Sequence, residues 1–382
     1  MTTHVFIVDD NTFKYHLEYL FAGTGAKDET IDFNNKKTSK LHHSSEASLV
    51  KMMADGCRVR KDDLIIFYLQ ANSVHEGMFF GIFQAVENGI FLDNLDKKQF
   101  LYKKLRKSLT FRLKIKPFEV YQKGVTEWAA LDEIKNICSP YQMLWSLIYR
   151  KLKGNRGNTM ITIYESERLI SLIRNENDNK ELVCKNQGLT YNIEDCSIEV
   201  KGKQSDYLGR IEHIDILPRF IEKYTIDQAH EAHLQMYITQ NLGLGINKYL
   251  DTSLGILNKK IEWLGNEVSC GVGMQRIDIM FSVEESDTKR ILYPIELKSV
   301  SASEDNLKQI NRYIDWIEQY YIPNRISIVQ PVLICKKGKV FSAELKQKFM
   351  QFNQRKGILP LKYIEYKVSD NNLVFNAVGY QK

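Results

Sequence analysis

The run Arg276-Ile-Asp278-Ile-Met-Phe281, followed by Pro294-Ile-Glu296-Leu-Lys298, decides how this chain is read. In a strand, successive side chains point to opposite faces, so Ile277, Ile279 and Phe281 face one way while Asp278 faces the other. Along the second stretch Ile295 and Leu297 face the core, and Glu296 and Lys298 share the opposite face. Two adjacent strands would therefore aim two carboxylates and an ammonium at one point. Hard divalent cations such as Mg²⁺ are held by a few carboxylates and keep several waters. A nearby lysine can orient or deprotonate one of those waters and offset phosphate charge. This is the layout of a metal-dependent phosphodiesterase site. Taken alone, the same residues also suit ordinary solvated strand faces, with Lys298 as a surface ion-pair partner worth little.

The neighbouring sequence favours the site. Upstream, Asp227-Gln-Ala-His-Glu231-Ala-His-Leu-Gln-Met-Tyr-Ile-Thr reads as a helix on which Glu231, Leu234 and Ile238 fall on one stripe, placing an acid beside the buried face. Downstream, Ser301-Ala-Ser-Glu304 has the spacing of a capping box and opens a helix whose core stripe is Leu307, Ile310, Ile314 and Ile317. Gln309 and Tyr313 stand one turn apart beside that stripe. The expected order is a helix with its glutamate, strands, the aspartate strand, the Glu-x-Lys strand, the Gln-x-x-x-Tyr helix, and the apolar strand Val329-Gln-Pro-Val-Leu-Ile-Cys335.

With these pieces in order, the segment from about Tyr224 to Gly338 resembles the nuclease domain of NucS-type endonucleases. Those enzymes belong to the PD-(D/E)XK superfamily, which also includes RecB-like nucleases. The matching stretches are HEAHLQMYITQNLG, RIDIMF, YPIELKSV, QINRY and PVLICKKG. The resemblance implies a restriction-endonuclease-like αβββαβ core with a mixed sheet. It assigns Glu231, Asp278 and Glu296 to the acidic metal site, Lys298 to the motif lysine, and Gln309 with Tyr313 to the auxiliary motif. Residues 284–289 depart from it, lengthening the turn between the two site strands. Less than half of the chain is covered.

Length and composition frame the remainder. A chain of 382 residues suggests two domains, and 43% hydrophobic with 26% charged residues is the balance of a globular protein with ample core. The net charge of +6 suits a polyanionic partner without requiring one. Six cysteines lack zinc-ribbon spacing and suggest neither a metal knuckle nor a disulfide framework. No apolar stretch approaches a membrane span and the start carries no signal-peptide pattern, so a cytoplasmic location is expected. From Asn175 to about Gly209 the sequence turns polar and turn-rich, with brief apolar alternation at Leu189-Thr-Tyr-Asn-Ile193 and Cys196-Ser-Ile-Glu-Val200 that suggests short strands in a connector. The expected organisation is a recognition domain over residues 1–175, a connector over 176–222 and a nuclease domain over 223–382.

The N-terminal part begins with the strand pattern His4–Val8 and a helical stretch near Thr12–Phe21, then a polar loop from Thr30 to Ser45 containing His42 and His43. Further strand patterns lie at Asp63–Leu69, Gly77–Gln84, Gly89–Leu92 and Leu109–Ile115. Short aromatic strands with one or two helices suggest a small α+β barrel. The run DDLIIFYLQ…GMFFGIFQAVENGIFLD…FRLKI resembles, more loosely, the EVE and YTH-like branch of the PUA superfamily. Members of that branch bind nucleic acid and often hold a modified base in an aromatic pocket.

The same half carries the strongest basic cluster: Lys97, Lys98, Lys103, Lys104, Arg106, Lys107, Arg112, Lys114 and Lys116, with no acid between them and Phe100, Tyr102 and Phe111 among them. A second patch holds Arg150, Lys151 and Arg156, just after Trp145 and Tyr149. Lysine and arginine contacts to phosphate supply most non-specific nucleic-acid affinity, and aromatics stack on bases. A solvated face over core aromatics is the competing account. Trp128, Trp145, Tyr68 and Tyr149 are candidates for a base pocket.

Two other motifs are set aside. His230-Glu-Ala-His233 has its histidines at i, i+3 and is not a zincin motif. Gly243-Leu-Gly-Leu-Gly and Gly271-Val-Gly273 lack the lysine and the strand–helix context of phosphate loops. The expectation is a two-domain α/β DNA endonuclease, using Mg²⁺ with Mn²⁺ able to substitute. It would be of restriction type, with an N-terminal reader directed at DNA and a modified base as one candidate target, and a homodimer would serve double-strand cleavage. A repair nuclease acting on mismatched, branched or single-stranded DNA, and a non-catalytic nucleic-acid clamp, are the alternatives. No membrane partner is expected.

Overall fold

The computed structural model describes residues 1–25, 31, 46–131, 137–139, 157–182, 187–228, 230–270, 275–286, 289–322, 327–338 and 342–380. It divides into two compact units, Met1–Ile214 and Asp215–Lys382, each a mixed α/β structure.

In the first unit the strands are β1 (Thr3–Val8), β2 (Phe21–Thr24), β3 (Leu64–Leu69), β4 (Met78–Ala85), β5 (Phe91–Leu92), β6 (Phe111–Pro117), β7 (Val125–Thr126), β8 (Asn158–Ile161), β9 (Gln187–Asn192), β10 (Ser197–Lys203) and β11 (Glu212–His213). The helices are α1 (Asp10–Glu18), α2 (Glu46–Cys57), α3 (Tyr102–Leu105), α4 (Glu127–Leu131) and α5 (Ile163–Glu176). The main sheet runs β11-β5-β6-β4-β3-β1-β8, with β2 on β6 and β7 on β4. β3 is buried along its whole length because β1 and β4 flank it and both faces are covered, which its unbroken Leu-Ile-Ile-Phe-Tyr-Leu run already suggests. The Asp9 carboxylate caps α1 through Thr12 N–H at 2.9 Å, and Thr162 with Glu165 forms a capping box on α5. α1 ends at Glu18, short of the expected Phe21, which instead opens β2 against β6.

The polar stretch expected as a connector is part of this unit. β9 and β10 pair as an antiparallel hairpin whose Leu189, Tyr191 and Ile198 are buried. Tyr191 packs against Phe13 and Phe80, with ring centroids 4.9 Å and 5.9 Å away. Ile198 N–H donates to Gln122 O, and Leu182 N–H to Val120 O. Few apolar residues suffice here because alternation sets them all on one face.

The second unit contains α6 (Leu217–Thr225), α7 (Glu231–Asn241), α8 (Lys248–Leu254), β12 (Ile261–Ser269), β13 (Arg276–Ser286), β14 (Lys289–Lys298), α9 (Glu304–Trp316), β15 (Ser327–Val329), β16 (Val332–Lys336), α10 (Ala343–Phe352), β17 (Lys362–Ser369) and β18 (Asn372–Ala377). Its sheet runs β12-β13-β14-β16-β17-β18, with β15 on β14. β12, β13 and β14 form an antiparallel meander, β14, β16 and β17 are parallel, and β18 returns antiparallel. The expected α9 stripe of Leu307, Ile310, Ile314 and Ile317 is buried. Its cap lies two residues later than expected, because Ser303 N–H donates to the Asn306 side chain at 2.8 Å.

The single apolar strand expected over Val329–Cys335 is two. Pro331 has no N–H for a ladder, so β15 ends at Val329 and β16 starts at Val332. Pro294 of β14 sits opposite this break, between the Leu292↔Val329 and Ile295↔Val332 pairs, where its missing donor costs the neighbouring strand nothing.

Tyr191→Ala should cost the first unit about 3 kcal/mol in denaturant unfolding, as for other large buried aromatics. A loss below about 1 kcal/mol would show that the hairpin contributes little to that unit's core.

Candidate active site

The β13–β14 ladder stops at the pair Ile279↔Ile295, and the next residues on each strand are Asp278 and Glu296. Beyond the last pair the Leu297 N–H has lost its antiparallel backbone acceptor. The Asp278 carboxylate takes that place, accepting it through Oδ2 at 2.8 Å. Sequence position and ladder end thus fix the aspartate beside the glutamate. Among the described residues this bond through Oδ2 is the one hydrogen bond shown for the Asp278 carboxylate.

Glu296 is fully buried. Its Oε2 lies 2.6 Å from the Tyr313 hydroxyl, which in turn accepts from Gln309 Nε2 at 2.6 Å. The two residues expected as an auxiliary pair on α9 therefore form a relay to the glutamate. Lys298 Nζ sits against Glu296 Oε1 and 3.7 Å from Glu231 Oε1, at the first turn of α7. The structure brings all six sequence-predicted residues of this unit to one end of β13 and β14.

Electrostatics follow from crowding. Burial first, then the Glu296 charge, push the Asp278 carboxyl well above the usual carboxylate range, with Glu231 adding to the rise and Leu297 N–H opposing it. Burial also raises Glu296, against the pull of the Lys298 ammonium. Burial alone would depress Lys298, but the adjoining Glu296 carboxylate outweighs it and the lysine is held charged. The Tyr313 hydroxyl is raised by burial and by both carboxylates, so it stays a neutral donor.

These residues fit a hard cation in a specific way. Among the described residues no group of three His, Cys, Asp or Glu side chains is placed to enclose an ion. Glu231, expected as a further ligand or a partner of a metal-bound water, lies 3.7 Å from Lys298 through Oε1, and its charge raises both Asp278 and Glu296. Asp278 and buried Glu296 are two carboxylates whose mutual repulsion a cation would relieve. Mg²⁺ is commonly held by one or two carboxylates, with waters and substrate phosphate completing its shell.

Three neighbours carry no signal in the sequence. Gln235 on α7 donates through Nε2 to Asp278 O at 2.8 Å and, more weakly, to Glu267 Oε1 at 3.4 Å. Glu267 on β12 is buried and receives Arg276 Nη1 at 3.0 Å. Tertiary packing of α7 on β12 and β13 unites these residues, so spacing does not reveal them, except that Arg276 shares the Asp278 face by alternation.

The discounted motifs have structural occupations. His230 is buried between Gln228 O at 2.6 Å and Tyr366 Oη at 3.0 Å. The amides of Gly243 and Gly245 donate to the Asp251 carboxylate at 2.9 Å and 3.1 Å, leaving no phosphate cradle. Gly271-Val-Gly273 lies outside the described residues.

In the first unit the basic cluster is smaller than its sequence. Lys103, Lys104 and Arg106 are exposed around α3, with Lys104 Nζ 3.1 Å from Tyr19 Oη and over the Tyr15 and Tyr19 rings. Lys107 is paired with Asp9 at 2.6 Å, and Lys116 with Asp62 at 2.7 Å. Arg112 is buried, bonded to Leu109 O and Phe100 O and 3.4 Å from Asp93, so it belongs to the core with Phe111. Trp128 is 64% exposed and lines an open cleft of about 560 Å³ with Asn72, His75 and Glu127. Tyr68 is buried and donates to Glu127 at 2.5 Å. Arg150, Lys151, Arg156, Trp145 and Tyr149, with the 32–45 loop and its His42 and His43, lie outside the described residues. Among the described residues no helix is long and apolar enough to cross a membrane.

No family model and no curated protein matches the chain. A solved structure described as a hypothetical protein from Leishmania major matches 46% of this chain and 96% of its own, at 8% identity and a TM-score of 0.29. So slight a likeness carries no argument about fold or activity.

Because Asp278 titrates higher folded than unfolded, its contribution to stability is present below the ordinary carboxylate range and is lost as pH rises through the raised value. Asp278→Asn removes that loss. In the absence of divalent metal the variant should melt above the wild type at pH 7, with the difference vanishing near about pH 3. A variant less stable than the wild type at pH 7 would show the carboxylate to be a net stabiliser.

Proposed function

We propose that this chain is a Mg²⁺-dependent DNA endonuclease, whose second unit is a PD-(D/E)XK-type catalytic domain and whose first unit binds DNA. The observation that carries the reading is the meeting of Asp278, Glu296, Lys298 and Tyr313 where the β13–β14 ladder ends. The reading also draws on the sequence resemblance to NucS-type enzymes and on a mixed sheet in the order α7, α8, β12, β13, β14, α9, β15, β16. A clamp that only held DNA would gain nothing from burying Glu296 and crowding it against Asp278, since such groups destabilise the fold.

Asp278 and Glu296 would hold the metal. When bound, it lowers the pKa of a water and neutralises charge on the scissile phosphate. The reaction is an in-line displacement in which a water oxygen bonds to phosphorus as the phosphorus–oxygen bond to the leaving nucleotide breaks. Lys298, kept charged by Glu296 and Glu231, is placed to orient that water or to hold a phosphate oxygen. Tyr313 fixes one Glu296 oxygen, and Gln309 fixes Tyr313. Glu231 on α7 would align the lysine and, beside the carboxylate pair, could serve as a further ligand or hold a metal-bound water.

In this reading the first unit, with its EVE/YTH-like sequence pattern, positions DNA through Lys103, Lys104 and Arg106. Restriction of modified DNA is the activity such a pairing of reader and cutter suits best, and that step rests on analogy of architecture.

Asp278→Ala and Glu296→Ala should each reduce duplex cleavage in Mg²⁺ by about 100-fold or more while leaving DNA affinity close to wild type, because the metal site serves the transition state. Near-normal turnover by either variant would sink the assignment. Changing Lys103, Lys104 and Arg106 together to Gln should weaken DNA binding and flatten the slope of log affinity against log salt by about 0.9 for each lost phosphate contact. An unchanged slope would make this cluster a solvated face only.

A further inference from the structure

Arg276 is the first residue of β13 and shares the Asp278 face, two positions before the aspartate and so about 6.8 Å from it along the strand. Its carbonyl lies 2.9 Å from the Tyr313 hydroxyl, tying its backbone to the relay that holds Glu296. The guanidinium is held differently. Nη1 donates to Glu267 Oε2 at 3.0 Å, and among the described residues Nε and Nη2 have no partner. One edge of the fork is thus pinned to a carboxylate 6% exposed, while the arginine side chain as a whole is 34% exposed.

The pin is itself built into the site. Glu267 lies in β12 between the pairs Asn266↔Ile279 and Val268↔Ile277, beside Asp278 on the neighbouring strand. Its backbone is left-handed, at φ 51°, a conformation that is uncommon for a non-glycine residue and costly inside a strand. The other Glu267 oxygen is approached by Gln235 Nε2, whose amide also holds the Asp278 carbonyl. Strain of this kind persists only where surrounding contacts impose it, and here those contacts join the Arg276 guanidinium, through Glu267 and Gln235, to the backbone of Asp278.

We propose that Arg276 binds a backbone phosphate of the DNA substrate, with Glu267 as the positioning residue that orients its fork. The proposal deepens the nuclease reading and rests on it for the identity of the ligand. Guanidinium suits this task because its planar donors match two phosphate oxygens at once, and a fork anchored at one nitrogen loses less freedom on binding. The competing account is that Arg276 serves only as the counter-ion of buried Glu267.

The test is DNA binding by the full chain in EDTA, measured by fluorescence anisotropy with a short duplex over a series of salt concentrations, alongside thermal melting. Arg276→Gln should weaken affinity about tenfold and reduce the salt slope by about 0.9, the value for one phosphate contact. Arg276→Lys should keep the slope and recover only part of the affinity, since the charge survives without the fork. Glu267→Gln should weaken binding less than Arg276→Gln. Affinity and slope equal to wild type in folded Arg276→Gln or Arg276→Lys protein, with only the melting temperature lowered, would overturn the proposal. So would a wild-type chain without affinity for the duplex. Because metal is absent, failure of the nuclease reading is seen separately: a wild type that binds DNA but does not cut it in Mg²⁺ removes the catalytic assignment and leaves the phosphate contact standing.

Discussion

One backbone N–H organises the second unit. Where β13 and β14 part, Leu297 needs an acceptor that the ladder no longer supplies, and an unpaired buried N–H costs about as much as a lost hydrogen bond. The Asp278 carboxylate meets that need at 2.8 Å, and in doing so it is brought beside Glu296. Everything else at the site answers the consequences of placing two carboxylates together. Lys298 supplies charge, Tyr313 supplies a donor, and Gln235 with Arg276 and Glu267 brace the strand from the other side.

The arrangement is unfavourable for folding by itself. A carboxylate that is half relieved by one N–H and faces another carboxylate is a group that a purely structural site would replace with an amide. Its retention is understandable if an external cation completes it, which links stability of this unit to the chemistry proposed for it. The first unit has the opposite character. Its charges are mostly settled internally: Arg112 is buried near Asp93, and Lys107 is paired with Asp9. The exposed basic residues left for a polyanion among the described ones of this cluster are Lys97, Lys98, Lys103, Lys104 and Arg106.

Features set by short-range periodicity are legible in the amino-acid sequence. The alternation at Ile277, Asp278 and Ile279, the α9 stripe, and the Gln309–Tyr313 spacing all follow from the geometry of one element. Features set by competition between local signals are displaced. Ser301 and Glu304 have the capping spacing, yet the cap forms at Ser303 with Asn306; Pro331 splits a run whose hydrophobicity reads as continuous. The strands of the β9–β10 hairpin show in the alternation at Leu189–Ile193 and Cys196–Val200, but its polar surroundings hide that Tyr191 and Ile198 bury it within the first unit. Thr162 and Glu165 have the spacing of the capping box that opens α5. Glu267 and Gln235 have no signal at all, because a strand neighbour and a helix residue brought together from distant sequence share no spacing.

The central claim is that Asp278 and Glu296 form an incomplete cation site. The most direct measurement is the melting temperature of the full chain against Mg²⁺ or Mn²⁺ concentration at pH 7, without DNA, for the wild type and for Asp278→Asn. A ligand that binds the folded state alone stabilises it in proportion to the logarithm of its concentration above its dissociation constant. The wild type should therefore gain stability steadily as metal is added, and Asp278→Asn should not respond. Equal responses in the two proteins, or none in the wild type, would contradict the account.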